Sequence, residues 1–160
     1  MTATSQTPQN TKTFEHSSIF PNTTLKAVED FHEDPKAFSI LTPFPIIAQI
    51  HRRELNSLTD GEMEFTLWFG PIPIRWLARH EPGPTEHSFA DRMMSGPMQF
   101  WLHRHIFEEV DGGVRLTDRI TIEHKLGLPG VLTRLMFDGL PLKFLFVYRH
   151  LRTRMAVSGK

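Results

Sequence analysis

The residues best placed to do chemistry are three histidines and two aspartates: His87, Asp91, His103, His105 and Asp118. Alternation along residues 98–110 puts Trp101, His103, His105 and Phe107 on one face of a strand. The next strand adds Leu116, Asp118, Ile120 and Ile122 to that face. Its other face, Arg115, Thr117, Arg119, Thr121 and Glu123, reads as solvated. The imidazoles and the carboxylate therefore point inward, where polar groups need partners or water. That pattern points to a lined cavity. Three uses compete for it. A buried His–Asp hydrogen bond could fix strand register. Alternatively, the polar groups could orient a hydroxyl, carbonyl or carboxylate of a mostly apolar ligand. The third use is catalysis, with His105 as a base whose tautomer and basicity Asp118 sets. Two histidines and an aspartate could also hold a divalent metal. No HExxH-type spacing and no GxSxG elbow is present, however. Neither a metal nor another cofactor is expected.

Turn chemistry sets the expected register. Asp111-Gly112 reads as a two-residue hairpin turn, which pairs Val110 with Gly113, His105 with Asp118 and His103 with Ile120. A turn centred on Gly96 would set Asp91 opposite Trp101, Phe89 opposite His103 and His87 opposite His105. His87, His105 and Asp118 would then form one row across three strands. Phe65, Trp76, Phe89 and Trp101 are the expected apolar wall, and Ile120 lies on the same inner face.

The elements that must position these residues follow from period and punctuation. Residues 1–11 are Thr, Ser, Gln, Asn and Pro-rich and are expected to be a disordered tail, ahead of one domain over 12–156. Thr13–Phe20 reads as a strand. A short helix follows, capped by Asn22 or Thr23, with Leu25, Val28 and Phe31 as its apolar stripe. Asp34-Pro35 reads as the start of a second helix running to Leu41. Strands are expected at 46–55, 61–69, 74–80, 86–94, 98–110 and 114–125. The last segment is helical, interrupted at Gly139-Leu140-Pro141. Beyond that break Leu140, Phe144, Tyr148, Leu151 and Met155 recur at helical spacing, and Phe144 and Tyr148 are the candidates to reach the cavity from the helix. Arg149 beside them reads as solvated or paired at a rim. The order predicts an α+β fold, a seven-stranded antiparallel sheet bent around a long C-terminal helix.

Composition narrows the partners. Eighteen basic and eighteen acidic residues cancel, so overall charge does not argue for nucleic acid. There is no cysteine, which removes thiolate chemistry and Cys-ligated metals. The N-terminus lacks an apolar signal core, and no apolar run approaches the roughly 20 residues of a membrane helix. A cytoplasmic protein without stable membrane insertion is expected. A homodimer is compatible with everything above.

Three stretches carry a family resemblance. One is Ser18-Ile19-Phe20-Pro21 with Phe31-His32 and Asp34-Pro35. The next runs from Phe89 through Asp91, Gly96-Pro97, Trp101, His103 and His105 to Phe107. The last is Leu116-Thr117-Asp118 with Tyr148-Arg149-His150. Together they resemble the START-like, helix-grip superfamily often called SRPBCC, over about residues 12–156. The superfamily includes lipid-transfer domains, hormone binders of the pollen-allergen type and polyketide cyclase/dehydrase-like proteins. The resemblance implies a cavity between sheet and C-terminal helix that binds a hydrophobic small molecule such as a lipid, isoprenoid or polyketide. It leaves two alternatives: a cyclase/dehydrase-like enzyme using His105 and Asp118, and an interaction module with a packed interior. Fold alone does not choose among them.

Overall fold

A computed structural model describes residue 8 and residues 10–160; most of the expected N-terminal tail therefore lies outside the described residues. The strands are β1 (Lys12–Pro21), β2 (Ile47–Ser57), β3 (Asp60–Phe69), β4 (Ile72–Pro82), β5 (Ser88–Ser95), β6 (Phe100–Val110) and β7 (Gly113–Glu123). The helices are α1 (Leu25–Glu33), α2 (Ala37–Ile40), α3 (Leu128–Phe137) and α4 (Gly139–Val157). All seven strands form one antiparallel sheet in the order β1-β7-β6-β5-β4-β3-β2. The first strand thus lies beside the last. The fold is α+β as expected, with two short helices after β1 and a long C-terminal helix.

The β6–β7 hairpin has the register the Asp111-Gly112 turn demands, with His105 opposite Asp118 and His103 opposite Ile120. Gly112 takes the positive φ (78°) that such a turn requires. The β5–β6 register differs from expectation by two residues: Asp91 faces His103 and Phe89 faces His105. The cause is the connection, which is four residues long from Gly96 to Gln99. It is pinned by the buried Met98 and by Gln99 N–H donating to the Glu123 carbonyl at 2.9 Å. Because strand side chains alternate with period two, a two-residue slip changes partners but keeps faces. Asp91 stays inside, whereas His87 sits at the start of the strand and leaves the row.

Helix ends show where local chemistry was misjudged. Thr24, not Asn22 or Thr23, caps α1, its Oγ1 accepting from Ala27 N–H at 3.2 Å. Asn22 instead adopts φ 55° and donates to the Gly112 carbonyl. Asp34 ends α1, and α2 spans only four residues. The chain breaks between α3 and α4 at Asp138-Gly139, where Asp138 Oδ1 accepts from Gly139 N–H at 2.8 Å. Gly139 lies in the left-handed region (φ 53°), and Pro141 falls in the first turn of the new helix.

The expected apolar stripe of α4 is not the one that packs on the sheet. Leu142, Phe146, His150, Thr153 and Val157 are buried there, while Phe144 is 64% exposed. Two polar residues interrupt the buried face, so a purely apolar pattern selects the opposite one.

Candidate functional site

The inner sheet face carries two apolar clusters. One gathers Phe20, Val28, Phe107, Leu116 and Val157 under α1 and the end of α4. The other gathers Phe65, Trp76, Trp101, Phe137 and Phe146. This second cluster does not close. It leaves a cavity of about 150 Å³, walled also by Phe38 of α2, by Leu41 at its C-terminal cap and by Phe89, Asp91, His103, His105 and Arg149. Thr133 of α3 bonds His124 Nδ1 at 2.8 Å, and Gly130 lies so close to the Lys125 carbonyl that a Cβ has no room. Those contacts hold Phe137 against Trp76 and Trp101.

One wall of the cavity is polar, and its order follows from which atoms can donate. His80 Nδ1–H donates to the Leu58 carbonyl at 2.9 Å, which turns Nε2 toward Asp91 Oδ1 at 2.8 Å. His105 Nε2–H donates to Asp91 Oδ2 at 3.0 Å, and its Nδ1 lies 2.9 Å from Asp118 Oδ1. Asp118, 2% exposed, also accepts from His103 Nε2–H at 2.7 Å and from His150 Nε2–H at 2.8 Å. His150 Nδ1 meets Ser18 Oγ at 2.8 Å. A chain of groups thus runs from β4 through β5, β6 and β7 to α4 and β1. Two of the close approaches, at Asp91 Oδ1 and His105 Nδ1, are ion-pair distances without hydrogen-bond alignment.

Burial alone would raise both carboxyls. His80 and His105 around Asp91, and His105 and His103 around Asp118, outweigh it and hold both well below the ordinary carboxylate range. Burial also opposes the His105 cation, but Asp118 and Asp91 raise that imidazole above its usual value. The neighbouring ring, with centroids 3.8 Å apart, goes the other way: burial and the His105 charge push His103 down to about 4. His103 Nδ1 is left without a hydrogen bond among the described residues, 3.9 Å from Asp91 Oδ2. His32, whose Nδ1–H donates to the Val28 carbonyl, is pushed to about 3 by burial and by His105.

The guanidinium of Arg149 reaches this wall from α4. It lies 5.6 Å from the Phe146 ring centroid, and burial lowers it while Asp118 and Asp91 raise it. Among the described residues it has neither an ion-pair nor a hydrogen-bond partner. Asp91, His103 and His105 present three ligand atoms within 4.8 Å of one another, so a divalent ion would find donors here. One of the three, His105, already has both nitrogens against carboxylates, Nε2–H on Asp91 Oδ2 and Nδ1 beside Asp118 Oδ1, so an ion would have to displace those contacts.

Of the residues singled out from the sequence, Phe65, Trp76, Phe89, Asp91, Trp101, His103 and His105 line the cavity. Asp118 and Ile120 lie beneath that lining, the first as acceptor for the imidazoles, the second fully buried in the apolar cluster. Three residues are elsewhere. His87 pairs with Glu29 at 2.9 Å and is 44% exposed. Phe144 faces outward, and the Tyr148 hydroxyl approaches the Ile40 carbonyl at 3.4 Å outside the cavity lining. His80, Arg149 and His150 were missed. The missing signal was position: the i, i+4 pair Phe146–His150 marks the inner face of α4, and Arg149 flanks it.

A seven-stranded antiparallel sheet gripping a C-terminal helix around a side-chain-lined cavity is a recognisable architecture. Ginseng major latex-like protein 151 from Panax ginseng superposes with a TM-score of 0.65 at 12% identity, covering 91% of this chain and 96% of that one. The Zhui aromatase/cyclase from Streptomyces sp. R1128 gives 0.61 at 14% identity, covering 92% and 91%. The chain has the helix-grip fold. A nucleoside-diphosphate sugar epimerase from Corynebacterium glutamicum also carries a helix-grip region, with a TM-score of 0.64 at 25% identity over 89% of this chain. Only 28% of that longer protein is matched. No family model and no curated protein matches the chain. At these identities the likeness is one of helix-grip architecture, and function has to be argued from the cavity.

Proposed function

We propose that the cavity binds a compact hydrophobic small molecule, a ring system bearing a carboxylate, enolate or carbonyl oxygen. The observation that carries this reading is a partnerless guanidinium, Arg149, on the wall of an otherwise aromatic cavity. The guanidinium is half-buried and open to the cavity, and an oxygen anion of a ligand supplies the partner that the protein does not. Size sharpens the class. About 150 Å³ is below the ~300 Å³ of ordinary ligand sites, so the expected range of lipid, isoprenoid or polyketide contracts toward single-ring dimensions. An apolar cavity of about this size suffices for a benzene-sized guest. In this reading Phe65, Trp76, Phe89 and Trp101 take the ring, while Arg149 and His103 face its polar end.

A second reading, cyclase- or dehydrase-like proton transfer, has its own support in the divergence of two adjacent imidazoles. His103, neutral and fixed by Asp118 with Nδ1 free, would accept a proton. His105 would act through it, because its own two nitrogens face Asp91 and Asp118. The role of base expected of His105 from the sequence thus moves to its neighbour.

The binding reading is tested by native mass spectrometry of gently purified protein with solvent extraction, followed by titration with benzoate. A bound ring compound, or saturable benzoate binding competed by that extract, is expected. A ligand-free mass together with no benzoate binding would overturn it. If binding is present, His103→Gln separates the readings: a carrier keeps ligand and has no turnover to lose, whereas an enzyme loses turnover and keeps ligand.

A further inference from the structure

Helix α4 is apolar on two sides. Its inner side packs on the sheet, as described above. Its outer side carries Leu140, Phe144, Val147, Leu151 and Met155 at spacings of four, three, four and four residues, a straight stripe along the helix. These side chains are 80%, 64%, 46%, 54% and 65% exposed. Helix α3 repeats the pattern, with Leu128, Val131, Leu132 and Leu135 all at least half exposed. The buried residues of both helices, Phe137 on α3 and Phe146 and His150 on α4, contact strand side chains, so both stripes point away from the sheet. Scattered exposed leucines need no explanation, but a continuous apolar face on two consecutive helices does.

Charge says what covers it. The protein is neutral overall, yet residues 125–160 contain seven Lys and Arg and one acid, Asp138. Residues 1–124 hold the other eleven basic and seventeen acidic residues. The segment bearing the stripes is thus +6 and the remainder −6. Asp138 is already occupied by Lys12 at 3.1 Å and by the α4 cap. Lys143 and Arg154 lie along one flank of the α4 stripe at helical spacing, and both are exposed. A second copy docking through the same face would bring Lys143 and Arg154 of both copies together in segments of like charge, which opposes a two-fold dimer.

We propose that the outer face of α3 and α4 docks on an anionic lipid surface, with the helices lying in the interface plane. Apolar side chains along one face with cations at its edge is the pattern of interfacial helices, which bind by buried apolar area plus attraction to anionic headgroups. Among the described residues no helix is long and apolar enough to cross a membrane, so the contact is peripheral. The face is separate from the cavity wall and does not depend on what the cavity holds.

The test is co-sedimentation of the full chain with vesicles of phosphatidylcholine alone and of phosphatidylcholine with phosphatidylglycerol. Binding to the anionic vesicles is expected, at least about tenfold stronger than to the neutral ones and weakened by high salt. Phe144→Glu and Lys143→Glu should each reduce it severalfold. Because both side chains are exposed, unfolding curves and benzoate titration should be unchanged. Retention in the supernatant with anionic vesicles would overturn the proposal. So would a concentration-dependent dimer in sedimentation equilibrium that Phe144→Glu abolishes, since the face would then be covered by a second copy.

Discussion

The two ends of the inner sheet face are built from similar residues and end up as different objects. Near β1 and β7, Phe20, Phe107, Val114 and Leu116 pack on Val28 of α1 and Val157 of α4, and none of them is more than 2% exposed. Near β3 and β4, Phe65, Trp76 and Trp101 meet a four-residue α2 and a short α3, and a cavity remains. Aromatic content does not decide which end is core and which is pocket. What differs is which elements lie opposite: α1 and the end of α4 at the closed end, α2 and α3 at the open one. The Asp91–His105–Asp118 chain sits on the border, with His150 on the packed side and His103 and Arg149 on the open one.

That contrast can be broken from the packed side first. Phe107→Ala removes a side chain from a closed cluster with nothing to collapse into the gap, and about 3–5 kcal/mol of stability should be lost in urea unfolding. A loss under 1 kcal/mol would mean that end is not closed. At the border, Asp118→Ala leaves three imidazoles facing a vacated acceptor and should cost about 3–5 kcal/mol. The same change in a merely decorative pair would cost below about 0.5 kcal/mol.

Titration addresses the border as a unit. His103 and His32 are neutral in the fold, at about 4 and about 3, and ordinary in the unfolded chain, at 6.5. The unfolded state therefore binds more protons below pH 6.5, and stability falls with acid through that window. The slope is on the order of 1.4 kcal/mol per pH unit for each imidazole. Below the ordinary carboxylate range, protonation of Asp91 and Asp118 adds to the loss. His105 acts oppositely: its contribution is complete below 6.5 and is lost as pH rises through its raised value. A stability profile flat from pH 4 to pH 8 would dismantle this assignment. The smallest effect is expected at the open end. Leu67→Ala, a partly buried residue on the cavity wall, should cost less than about 1.5 kcal/mol, because its neighbours already border empty space.

The sheet was legible because its signals are local. Alternation named the inner face, and Asp111-Gly112 fixed His105 opposite Asp118 without any tertiary information. Where the connection was longer, at Gly96 to Gln99, the same reasoning placed His87 in a row that Phe89 occupies. Helix α4 was misread for a different reason. Its buried face includes His150 and Thr153, whose polarity is satisfied only by partners on other elements, Ser18 and Asp118 for the histidine. Its exposed face is the more hydrophobic of the two, so periodicity pointed outward. Arg149 was missed with it, since its position against Asp91 and His103 exists only once the helix is oriented.

The most direct test of the cavity reading is paired titration of benzoate and its methyl ester into the wild-type chain and Arg149→Met. The fold of the variant is checked by its unfolding curve. If the unpaired guanidinium is the anchor for a ligand oxygen anion, the acid binds wild type about tenfold or more tightly than the ester, about 1.4 kcal/mol, and the preference collapses in the variant. Equal binding of acid and ester to the wild-type chain, or a preference that survives in Arg149→Met, would contradict it.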